Sequence, residues 1–75
     1  MNNFYFDSKL EDGTIIYTSK DNEDDFIELI SPINSKGNII VEYYKLCSRV
    51  RTELYNNISE EELEKNINSS ISEIY

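Results

Sequence analysis

The chain has 75 residues, a formal net charge of −8, one cysteine and no histidine. That length allows a single small domain, residues 1–75, whose core typically supplies only ~3–5 kcal/mol. The lone Cys47 rules out an intrachain disulfide, and without histidine a zinc site lacks its usual ligands. Met1 to Asp7 has neither the basic nor the apolar region of a signal peptide. The longest apolar runs are three residues, far short of the ~20 that cross a bilayer. With a free thiol as well, a cytoplasmic protein is expected. The acidity disfavours direct nucleic-acid binding and anionic membranes, and it suits a partner with a basic surface.

Residues 4–18 read as a β-hairpin turning at Asp12-Gly13, the strongest short signal for a two-residue type I′ loop. That loop pairs Glu11 with Thr14, Leu10 with Ile15 and Ser8 with Tyr17. Phe4, Phe6, Leu10, Ile15 and Tyr17 then share one face. Tyr5, Asp7, Lys9 and Thr18 share the other, with Ile16 as its apolar exception. Residues 19–25 form an acidic connector. The segment 22–31 fits a helix with an acidic first turn that stops at Pro32. It also fits a strand with Ile27, Leu29 and Ile33 on one side, and helix is slightly preferred. Asn34-Ser35-Lys36-Gly37 is a turn.

From Asn38 to Asn57 no Gly or Pro interrupts the chain. Ile39-Ile40-Val41 favours a strand by propensity, but the length of the run favours a helix. Ile39, Ile40, Tyr43, Leu46, Cys47, Val50 and Leu54 fall within a ~120° arc of a helical wheel. The spacing therefore predicts a helix over 39–56, with Cys47 buried on its apolar side. A final helix starts at Ser59, which forms a capping box with Glu62. Ile58 and Leu63 make a hydrophobic staple, and Leu63, Ile67, Ile71 and Ile74 make the buried stripe. The expected fold is α+β: an N-terminal antiparallel β-hairpin, which segment 22–31 could extend by a third strand, packed against two C-terminal α-helices.

Nothing in the sequence points to catalysis or to a cofactor. There is no Gly-rich phosphate loop and no nucleophile with an evident base. Asp21, Glu23, Asp24 and Asp25 lack the central Gly and distal Glu of a calcium loop. The charge is uneven: −6 over residues 1–28, +2 over 29–55 and −4 over 56–75. The acids Asp21, Glu23, Asp24 and Asp25 could meet Glu60, Glu61 and Glu64 on one side of the fold. Such a surface would compete for Lys/Arg arrays that hold nucleic acid. The central segment carries a second seam, Val41, Tyr44, Ser48, Arg51 and Tyr55, rich in residue types favoured at binding hot spots.

In size and acidity, through the runs Asp21-Asn22-Glu23-Asp24-Asp25 and Glu60-Glu61-Glu62-Leu63-Glu64, the chain resembles small phage-encoded inhibitors of host defence, the anti-CRISPR and DNA-mimic type. The resemblance is one of composition and carries no residue roles. It implies a non-catalytic inhibitor or modulator whose acidic surface engages a basic, nucleic-acid-handling protein. Two alternatives stand beside it. One is a small dimeric regulator touching nucleic acid through Lys36, Lys45, Arg49 and Arg51. The other is an interaction subunit that uses Tyr44, Arg51 and Tyr55, with a second copy of the chain as one candidate partner.

Overall fold

Strand outweighs helix in this chain. The computed structural model describes residues 1–34 and 36–75, so Ser35 of the expected turn lies outside the described residues. Strands β1 (Phe4–Lys9), β2 (Ile15–Ser19), β3 (Phe26–Ile30), β4 (Asn38–Lys45) and β5 (Ser48–Asn56) precede one helix, α1 (Glu60–Ile74). The strands lie side by side in sequence order as an antiparallel meander, and α1 covers one face. This corrects the expectation of a hairpin packed on two helices.

The correction centres on residues 39–56, which fold as the β4–β5 hairpin. Leu46 and Cys47 form its two-residue turn, with positive φ of 51° and 66°. Two central residues at positive φ define the type I′ hairpin turn, which normally selects Asn and Gly. Here the sequence gives no such cue. Support comes from a distant loop instead: the Leu46 N–H donates to Asp25 Oδ1 (2.9 Å) and the Cys47 N–H to the Asp24 carbonyl (2.8 Å). Cys47 is consequently exposed in the turn rather than buried on an apolar arc.

Segment 26–30 is a strand, not a helix, and it is paired on both sides, by β2 and by β4. Its apolar residues alternate, Phe26 and Ile30 on one side and Ile27 and Leu29 on the other, which a central strand accommodates and a one-sided helix does not.

The first hairpin forms, but with a different turn. Its loop is Glu11-Asp12-Gly13, with Leu10 N–H donating to the Thr14 carbonyl (2.8 Å) and Gly13 at φ 92°. Asp12 Oδ1 accepts the Thr14 N–H at 2.9 Å, which holds its carboxyl below the usual range. The extra loop residue pairs Lys9, not Leu10, with Ile15, and Leu10 is exposed. A bulge between Phe6 and Ser8 then changes the parity, so Phe6 faces Tyr17 and Phe4 faces Ser19. Phe4, Phe6, Ile15 and Tyr17 still share a face.

Helix α1 begins as expected. Ser59 is its N-cap and accepts the Glu62 N–H at 3.2 Å. Leu63 and Ile67 are buried against Phe4, Ile27, Val41 and Tyr43, with Ile58, Ile71 and Ile74 packed around them. Each fully buried aliphatic side chain contributes ~1.5–3 kcal/mol relative to exposure. Ile27, Val41 and Tyr43 are completely inaccessible.

Candidate protein-binding surface

The two acidic runs expected to share a side lie at opposite ends of the helix. The 21–25 loop joins β2 to β3 beside the end of α1, where the Tyr75 hydroxyl donates to the Tyr44 carbonyl at 2.6 Å. Glu60, Glu61 and Glu64 stand at the start of α1, next to Asn57, whose N–H donates to the Gly37 carbonyl (2.8 Å) at the far end of β4. Fifteen helical residues separate the two ends by roughly 20 Å at ~1.5 Å per residue. Glu64 also pairs with the Met1 ammonium at 3.5 Å. In the loop, Asp24 and Asp25 hold the β4–β5 turn, while the exposed Asp21 accepts from Asn3 Nδ2 at 2.5 Å. Glu23 is exposed. Asp24 also accepts from Cys47 Sγ at 3.5 Å; this contact and the surrounding acids raise the thiol's pKa and disfavour a reactive thiolate.

The Tyr44, Arg51 and Tyr55 seam divides between the two faces of the sheet. Tyr55 and Arg51 point toward α1. There the Glu53 carboxylate accepts three hydroxyls: Tyr43 (2.7 Å), Tyr55 (3.0 Å) and Ser70 (2.6 Å). Burial and the hydrogen bond to Glu53 push the Tyr43 hydroxyl far up, and the same causes push Tyr55 up to about 12. Arg51 reaches Glu73 at 2.8 Å and Ser70 at 3.1 Å, tying β5 to the helix. This cluster is an internal clamp. Two other cations singled out above are also engaged: Lys45 Nζ donates to the Ile74 carbonyl (3.2 Å) and Arg49 pairs with Glu42 (3.1 Å). Lys36 is exposed in the β3–β4 connection.

The face of the sheet away from α1 carries no covering element among the described residues. Its side chains fall in three rows set by the register. Tyr5, Thr18, Phe26, Tyr44 and Arg49 form the first, Ser8, Ile16, Glu28, Glu42 and Thr52 the second, and Ile30, Ile40 and Leu54 the third. Phe26 and Tyr44 stack with centroids 4.5 Å apart and planes 13° from parallel. Glu28 lies directly opposite Glu42 on the adjacent strand. Like charges in that position are destabilising. Glu42 is offset by Arg49 and accepts from the Tyr44 hydroxyl at 3.3 Å. Among the described residues, no cation reaches Glu28. Burial, then the charges of Glu28 and Glu42, raise the Tyr44 pKa. Asp7, in the β1 bulge, adds a carboxylate that accepts from Thr18 at 2.6 Å.

The sequence reading missed this face. Its signal was available in the alternation of Phe26, Glu28 and Ile30 with Ile27 and Leu29, and again in Ile40, Glu42 and Tyr44 beside Val41 and Tyr43. Among the described residues, no three His, Cys, Asp or Glu side chains converge as a metal site requires, and no helix is long and apolar enough to cross a membrane. Comparison with protein-family models, curated proteins and solved structures finds no match.

Proposed function

We propose that the protein is a non-catalytic binding module whose open sheet face seats a basic segment of another protein, in the manner of an inhibitor or modulator of a nucleic-acid-handling target. One observation carries this reading: Glu28 and Glu42 stand side by side between an aromatic pair and the aliphatic row Ile30, Ile40 and Leu54. Of the two adjacent carboxylates only Glu42 has an arginine partner, which leaves the charge of Glu28 for a lysine or arginine to neutralise. The flanking Phe26 and Tyr44 can pack the aliphatic stem of that side chain and add cation–π attraction. Proteins that hold nucleic acid present such cations in arrays. The net charge of −8 favours their approach over long range. The resemblance to phage-encoded inhibitors of host defence fits the same chemistry.

Titration of the protein with a fluorescent peptide of alternating lysine and leucine tests this reading. Binding should weaken as salt rises, and Glu28→Lys should abolish it. Exposed Glu23→Lys, in the loop before β3, should reduce it only slightly. Loss on Glu23→Lys with no change on Glu28→Lys would move the site to the loop acids and overturn the reading.

A further inference from the structure

Strand β5 ends the sheet, so one side of its nine residues has no neighbour. The register shows which backbone groups that side presents. The Asn57 N–H donates to the Gly37 carbonyl at 2.8 Å, which makes the pair 37–57 hydrogen-bonded. Antiparallel ladders alternate. Tyr55, Glu53 and Arg51 therefore direct their backbone groups to β4, opposite Ile39, Val41 and Tyr43. Thr52, Leu54 and Asn56 direct theirs to solvent. On this strand Leu54 is 75% and Val50 51% exposed, with exposed Thr52 between them.

We infer that this edge pairs with the same edge of a second copy of the chain, antiparallel, with the two-fold axis at Thr52. The chemistry of the strand is symmetric about that residue. Val50 then meets Leu54 of the second copy, and Leu54 meets its Val50. Arg51 lies opposite the second copy's Glu53, twice over, and Thr52 faces Thr52. The outward N–H and C=O of Thr52 pair with those of the second copy's Thr52 in the same register. The neighbouring registers are worse. A two-fold centred on Glu53 sets that carboxylate against its own copy, which is destabilising. One centred on Leu54 sets Glu53 against Tyr55 and carries Val50 past the end of the second copy's strand, opposite Ile58. The bulge that inserts Val50 confines regular pairing to the middle of the strand. The opposite edge, β1, has six residues and a bulge near its middle, and offers no such symmetry.

Two copies of net charge −8 repel each other at long range. Salt screens that repulsion beyond ~10 Å at ~0.1 M. Self-association should therefore strengthen with salt, whereas capture of a basic segment weakens with it. The inference shares Leu54 with the open-face reading but rests on the free edge of β5, and the opposite salt dependences let the two fail separately.

Sedimentation velocity over a range of protein concentrations, at ~0.1 M and ~0.5 M salt, decides it. The expected result is a monomer–dimer equilibrium that shifts toward dimer at the higher salt. Thr52→Pro removes only an outward N–H, a substitution that edge strands accept, and should leave a folded monomer. Leu54→Lys should also be monomeric; it changes an exposed side chain, so it decides the matter if Thr52→Pro does not fold. A wild-type chain that stays monomeric throughout overturns the inference. So does a dimer that Leu54→Lys leaves unchanged.

Discussion

Strands β3 and β4 present two different surfaces with alternate residues of the same ten-odd positions. Toward α1 they send Ile27, Val41 and Tyr43, all with no accessible surface. Away from it they send Phe26, Glu28, Ile40, Glu42 and Tyr44, all partly exposed. Polar groups differ in the same way. Under the helix, one carboxylate, Glu53, takes three hydroxyl donors. On the open side, two carboxylates face each other and a single arginine pairs with one of them, Glu42. A chain with so small a core has given the carboxylate under the helix three donors and left Glu28 on the open side without a cation among the described residues. Stability is thus organised on the covered face, and the open face retains the features that suit recognition.

The sharpest way to break this contrast is to truncate equivalent aliphatic side chains on the two faces. Ile27→Ala should cost ~2–5 kcal/mol in denaturant unfolding, the range for a fully buried isoleucine. Ile40→Ala should cost clearly less. Equal losses would mean that the open face is as tightly packed as the covered one.

A smaller effect is expected at the hydroxyl cluster. Tyr43→Phe removes one donor to Glu53 and should cost ~1 kcal/mol near neutral pH. It should also alter the alkaline response. Tyr43 titrates far above its ordinary value, and Tyr55 and Tyr75 are both pushed up to about 12, chiefly by burial. In the unfolded chain these groups ionise near ~10. The unfolded state therefore releases protons first, and stability present below pH ~10 falls as pH rises toward ~12. Thermal melts across that window should show the decline, and Tyr43→Phe should make it shallower. A slope unchanged by Tyr43→Phe would remove Tyr43 from the alkaline transition.

The smallest effect has the opposite sign. Glu28→Gln relieves a like-charge pair and should stabilise the fold by ~0.2–1 kcal/mol, while weakening capture of the basic peptide. Gain in one measurement with loss in the other would separate stability from recognition at one residue. Destabilisation would mean that Glu28 has a structural role on its own face.

What could be read from the sequence was local. Asp12-Gly13 marked the first hairpin, although the loop takes three residues and the bulge at Asp7 restores the shared face. Ser59, Glu62 and the stripe from Leu63 to Ile74 marked the helix, because caps and stripes are written within a few residues of each other. Residues 39–56 failed for the complementary reason. Leu46 and Cys47 are poor residues for positive φ, and what holds them there is Asp24 and Asp25, some twenty positions earlier in the chain. Without the turn, two strands read as one uninterrupted run too long for a strand. Apolar residues on both faces of β4 then filled a helical arc by coincidence. The open face was lost with it: once Tyr44, Arg51 and Tyr55 were placed on a helix, the opposition of Glu28 and Glu42 had no register in which to appear.

The meander also bears on how the chain finds its structure. Every strand pairs only with its neighbours in sequence, so each pairing closes a short loop at modest entropic cost. Low average sequence separation goes with rapid folding. The β4–β5 hairpin is the longest pairing, and its turn is held by the 24–25 segment that leads into β3. Each strand can therefore join a neighbour already close to it in the chain. Fast reclosing of this kind limits the time that five strands with two open edges spend exposed to one another, in a protein whose core alone provides a narrow margin.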